Sequence, residues 1–188
     1  MAVNIDNLSR AGQNWSIEVT PTGATKIESF AEALPEGTKV NVTFLPGTDP
    51  LDTIAVAHRL ANEGMNAVPH IAARSLIDQA QLDDLVSRMT GEADVSEVLV
   101  IGGGVDRPVG AFDNSMQVLE TGVLQKHGIC TIGVSGHPEG SPDISQQALA
   151  DAVGWKNEFA AREGLSLYIE TQFCFDAKTV LDWERKIR

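Results

Sequence analysis

Short runs rich in Val, Ile and Leu alternate six times with longer amphipathic stretches, and this alternation limits the fold more than any other feature of the chain. An apolar run of a few residues followed by a helix-length segment is the pattern of buried parallel strands joined by crossover helices. Strands are expected near residues 15–19, 39–44, 66–71, 97–101, 130–134 and 167–173. A helix over 50–63 follows, with Asp49 as its cap, Ile54, Ala57, His58 and Ala61 at helical spacing, and Gly64 as its stop. A second, over 76–89, starts after Ser75 and aligns Leu82, Leu85, Val86 and Met89. Helices over 114–126 and 145–163 repeat the scheme before Gly128 and Gly164, and a last one runs from Ala177 to Arg188.

A chain of 188 residues with 43% hydrophobic content buries one sizeable core, so one domain is expected over 1–188, with 1–14 as an N-terminal extension. The expected fold class is α/β: TIM-barrel-like (βα) repeats with six of the eight units, an incomplete barrel. A closed barrel takes eight units and about 250 residues. The alternative is an open, doubly wound six-stranded sheet. A barrel gathers all strand ends on one rim, whereas an open sheet spreads them along an edge.

A net charge of −12 with scattered Lys and Arg argues against a nucleic-acid partner and disfavours anionic membranes. The polar N-terminus lacks the apolar core of a secretory signal, and no run is long enough to span a bilayer, so a cytoplasmic location is expected. The sequons at Asn7 and Asn41 then go unmodified. Cys130 and Cys174 lie in apolar segments without C-x-x-C spacing; they read as small buried hydrophobes in a reducing compartment rather than as a disulfide.

The candidate chemistry lies at the expected strand ends: Glu18, Thr43, His70, Gly102 to Gly104, the loop Gly136-His137-Pro138-Glu139-Gly140, and Gln172 with Asp176. Taken alone, each has a plain structural reading. Glu18 is a solvated strand-end acid, Thr43 a strand threonine, His70 a satisfied histidine beside Pro69, and Gln172 a strand-end cap. The triple glycine lets backbone N–H groups approach a ligand closely, yet it is also what a simple loop needs, and it does not match G-x-G-x-x-G. His137-Pro138-Glu139 fits half of a zinc-deaminase signature, but no P-C-x-x-C follows.

The segments S-I-E-V-T-P (16–21), V-T (42–43), P-H-I (69–71), V-I-G-G-G (100–104), G-H-P-E (136–139) and T-Q-F-C-F-D (171–176) resemble, in order, the signature segments of methylenetetrahydrofolate reductases. The similarity runs from Trp15 onward. It implies a flavin-bearing barrel that passes a hydride from NADH or NADPH to FAD, and then to methylenetetrahydrofolate. By the resemblance, Glu18 assists proton transfer as the folate ring opens, a task suited to a carboxyl held partly out of water. Thr43, His70, Gly102, Gly103, Gly104 and His137 contact the flavin, and Gln172 hydrogen-bonds the folate pterin through its amide. Lys156 stands near the place of a phosphate-contacting lysine, although a solvated lysine is the simpler expectation.

The chain departs from that pattern in three places. Gly104 occupies a position where many members carry aspartate, with Asp106 two residues on as the substitute, and Ser141 stands where a histidine is common. The family's last two βα units have no counterpart after Arg188. Open strand edges then call for a homo-oligomer or another covering partner. Loss of catalysis with folate or flavin binding retained is the alternative function, and a generic α/β domain holding a phosphorylated metabolite is a third.

Overall fold

The computed structural model describes residues 13–188, so most of the expected N-terminal extension lies outside the described residues. Six strands form one all-parallel sheet: β1 (Ser16–Val19), β2 (Lys39–Val42), β3 (Asn66–Ala72), β4 (Glu97–Ile101), β5 (Thr131–Gly136) and β6 (Ser166–Thr171). Between them lie α1 (Pro21–Ala24), α2 (Phe30–Ala33), α3 (Pro50–Asn62), α4 (Gln79–Ala93), α5 (Ser115–Glu120), α6 (Val123–Lys126) and α7 (Gln146–Glu163). Helix α8 (Ala177–Ile187) follows β6. None of the described helices is long and apolar enough to cross a membrane.

The strands lie in sequence order, β1 to β6, without the reversal that a doubly wound sheet requires. Successive right-handed crossovers in one direction place every helix on the same side. The other side is concave. On a flat sheet β2 and β6, four strands apart, would be separated by about 19 Å at ~4.8 Å per strand. Yet Asn41 Nδ2 on β2 donates to Glu170 Oε1 on β6 at 3.1 Å, and Lys39 lies 5.3 Å from the Tyr168 ring centroid. The sheet is therefore curled into a half-barrel, as the (βα)-repeat reading expected.

Each strand divides its side chains between two environments, because successive Cβ atoms point to opposite faces. Val19, Val40, Val42, Ile71, Val98, Val100, Ile132 and Val134 face outward into the main core with Leu60, Leu82, Leu119, Leu124 and Phe159 from the crossover segments. The opposite positions are largely polar, and the ladder aligns them: Glu18 beside Asn41, His70 beside Leu99, Ser135 beside Glu170.

Local capping explains most helix boundaries. Asp49 caps α3 ahead of Pro50, Ser145 caps α7, and Gly64, Gly128 and Gly164 adopt the left-handed conformation at or just after helix ends. Elsewhere the boundaries differ from expectation. Residues Ala73–Ser75 form a 3-10 turn, so α4 begins instead after Asp78, whose carboxylate accepts from Gln81 N at 2.8 Å. The same helix runs past Met89 until Asp94 takes a left-handed conformation. The single helix expected over 114–126 is broken into α5 and α6 by Gly122, at φ 71°. Strand β6 stops at Thr171 rather than Phe173, while β5 continues to Gly136.

Candidate functional site

Two clusters of polar groups gather at the C-terminal ends of the strands. The first is a cleft of about 320 Å³ over β4 to β6, lined by Gly102, Gly103, Gly104, His137 and Gln172 together with Lys156. These residues come from four segments that the chain separates widely, and the half-barrel brings them together. A neighbouring cleft of about 600 Å³ between α7 and α8 shares His137 and Trp183 with it.

The glycine loop is shaped by its surroundings. Gly103 has φ 94°, and a Cβ there would stand 3.3 Å from Ala72 Cβ, so both the conformation and the space favour glycine. Gly102 and Gly104 have open space where side chains would be, which leaves their backbone accessible. Arg74, which lines the same cleft, braces the segment. Its backbone N–H donates to Gly102 O at 2.9 Å, and its guanidinium donates to Asp113 O at 2.8 Å.

Lys156 overturns the expectation of a solvated lysine. It is 5% exposed, and it makes no hydrogen bond or ion pair among the described residues. Val134, Leu167 and Ile169 line a small pocket beside it, and it also borders the glycine-loop cleft. Burial lowers its pKa, because an ammonium loses hydration there without gaining a counter-charge. His137 is half-buried and its pKa is lowered too, first by burial and then by the Lys156 charge, so the neutral imidazole is favoured.

The second cluster occupies the concave face of β1 to β3 and β6. The Thr43 hydroxyl donates to the carboxylate of Glu18, which is exposed. His70 is 7% exposed, and its Nε2 has no hydrogen-bond partner, contrary to the plain reading of a satisfied histidine. Burial lowers its pKa, with Glu18 opposing. Glu18, Thr43 and His70 do not line the glycine-loop cleft. Glu170 lies on the same face, and its pKa is raised by burial first, then by the negative charges of Glu18 and Glu97. Toward the strand N-termini, Lys39 pairs with Glu97 at 2.8 Å; burial first, and then the neighbouring Glu97 carboxylate, pushes the Tyr168 pKa up.

Other expected positions take different roles. Asp106 is exposed on the loop after β4 and does not line the cleft; Asp113, farther along, does. Glu139 accepts from the backbone N–H groups of Phe175 and Asp176 at 2.6 and 2.7 Å, and so pins the loop after β6. Asp176 caps α8 through Lys178 N. Ser141 accepts from Asp143 N at 3.2 Å. The thiols are not the buried groups expected: Cys130 is exposed at the entrance to β5, and Cys174 is half-exposed on the rim, where its Sγ lies 2.9 Å from Gln172 O. Both cysteines are free. Among the described residues no cluster of three His, Cys, Asp or Glu could hold a metal ion.

Arg74, Asp113, Trp183 and Glu170 escape a motif-based reading. Lys156 has a detectable signal, since Ala152, Val153, Phe159 and Ala160 at spacings of three and four place it on the inward face of α7. No protein-family model matches the chain.

Proposed function

We propose that this chain is a cytoplasmic flavin-dependent oxidoreductase of the methylenetetrahydrofolate reductase type, reducing 5,10-methylenetetrahydrofolate with NADH or NADPH through FAD. The observation that carries the reading is the convergence of Gly102–Gly104, His137 and Gln172, three of the resemblance segments, around the unpartnered cation of Lys156 in one cleft. That cleft is near the small end of ligand pockets, about 300–1,000 Å³, so a dinucleotide would extend beyond it. The adjoining cleft between α7 and α8 offers a continuation.

The residues present fit a phosphate-bearing cofactor. Lys156 would hold a phosphate, a role stronger than the weak one its sequence position suggested, and the open backbone at Gly102 and Gly104 would allow close approach. A bound flavin would supply hydride acceptance and donation. His137, neutral at pH 7, would offer an uncharged ring nitrogen beside it. Gln172 would hydrogen-bond a pterin with its amide. Glu18, steadied by Thr43, would stabilise positive charge on the folate one-carbon unit. A second copy or another partner would cover the edges that β1 and β6 leave unpaired in this sheet.

The second reading is a folate- or flavin-binding protein without turnover. It is favoured by the absence of Glu18, Thr43 and His70 from the cleft lining. Visible absorption spectra after incubation with FAD and removal of free ligand test both. Flavin bands that bleach with NADH or NADPH and return with methylenetetrahydrofolate support the reductase; bands that never bleach support flavin binding alone, and a colourless protein rejects the reductase and leaves folate binding as the second reading.

A further inference from the structure

The concave face holds more polar chemistry than its hydrogen bonds satisfy. Asn41 is 3% exposed and uses Nδ2 on Glu170, which leaves its own Oδ1 sealed from solvent without a partner. His70 Nε2 is in the same state and feels the charge of Glu18. Buried acceptors and ring nitrogens are rarely left unmatched, because they have lost water and gained nothing in return. Two such atoms beside two carboxyl groups point to a ligand seated among them, and a metal ion is not that ligand, since no three-residue metal cluster exists among the described residues.

We propose that Glu170 and Glu18 form an acid–base pair across this concave face, with Glu170 donating a proton to a nitrogen-bearing ligand held against Asn41 and His70. The ligand class rests on the folate reading above; the pair itself does not.

The groups that act on Glu170 are Glu18 on β1, Lys39 and Asn41 on β2, Glu97 on β4 and Tyr168 on its own strand, and His70 on β3 joins them through the charge of Glu18. Lys39 is already engaged by Glu97, so its relief of Glu170 is partial. Two facing carboxyls resist ionising together, and burial makes Glu170 the more readily protonated of the two. Glu18 is exposed and bonded to Thr43, and Glu170 is the more buried. On an aminal such as methylenetetrahydrofolate the step balances. The O–H bond of Glu170 breaks, and its proton goes to the amine nitrogen that takes the electron pair of the breaking C–N bond. The carbon is left as an iminium cation facing the Glu18 carboxylate. The new Glu170 carboxylate keeps the hydrogen bond from Asn41 Nδ2.

The deciding experiment is a carbon-13 NMR titration of the whole, ligand-free chain labelled at glutamate side-chain carboxyls. One resonance should titrate above the others, vanish in Glu170→Gln, and move toward the ordinary range in Glu18→Gln. A Glu170 that titrates with the surface glutamates, or that ignores Glu18→Gln, overturns the pair. In the FAD-loaded protein, Glu170→Gln should slow turnover of methylenetetrahydrofolate by roughly 10²–10⁴-fold while the flavin bands stay unchanged. Unchanged turnover overturns proton donation by Glu170. A wild-type chain that binds no flavin would remove the reductase reading, and the NMR titration would still decide the pair.

Discussion

Tyr168 lies so close across Gly133 that a Cβ on the glycine would stand 2.7 Å from the tyrosine hydroxyl, and 2.8 Å from Leu99 Cδ1. The missing side chain on β5 is what lets a β6 tyrosine reach across to Lys39 and Glu97. Gly133→Ala is therefore expected to destabilise the chain by about 1–3 kcal/mol, the usual range for overpacking. Urea unfolding checks this, and an unchanged midpoint would mean that Tyr168 swings aside freely.

Glu170 should make stability depend on pH in a particular direction. Its folded pKa is raised above the unfolded value, so its contribution is fully present below that value and is lost as pH rises through the folded one. Glu170→Gln should then melt higher than wild type at pH 8, with a smaller gap at pH 4. Equal gaps at both pH values would contradict the direction of the shift.

Lys156 carries the opposite kind of linkage. Its folded pKa is lowered, so the folded state resists protonation, and the resulting penalty fades as pH rises through the folded value toward the unfolded one. Lys156→Met should raise the melting temperature at pH 7, and the advantage should shrink in alkaline buffer. The same variant should bind FAD more weakly. A destabilised variant would show that the ammonium is better compensated than its surroundings indicate.

Gly136 and Trp183 give an optical test of the cleft. A Cβ on Gly136 would lie 2.9 Å from the Trp183 ring and 2.5 Å from Ile169 Cγ2, so Gly136→Ala must displace the indole or the strand. Trp183 lines both clefts. The substitution should shift tryptophan emission toward the red and reduce its quenching by added FAD; an unaltered spectrum would place the accommodation at Ile169 instead.

How much of this was legible depended on range along the chain. The strands and long helices could be read because their signals are local: Asp49 before Pro50, Ser145 before α7, glycines at the stops. The shift of the α4 start to Asp78 was harder, since Ser75 and Asp78 are both competent caps and the intervening 3-10 turn decides between them. The break at Gly122 divides what looks like one periodic helix. The concave-face cluster is long-range by nature, with Asn41 and Glu170 separated by 129 positions. Strand residues 39, 41 and 43, or 168, 170 and 172, do show polar alternation, but pairing them requires the curl of the sheet. Lys156 reads as solvated because lysine is usually exposed, despite its apolar neighbours one turn away on either side.

The two faces of the strands separate the demands of folding from those of chemistry. The outward valines and isoleucines pack against the helices, so substitutions there fall on the main core. Positions 18, 43 and 170 project away from that core, and changing them alters charge and hydrogen bonding while leaving the helix–sheet contacts in place. A scaffold arranged in this way can be retuned toward a new reaction one inner residue at a time, with the core residues left unaltered.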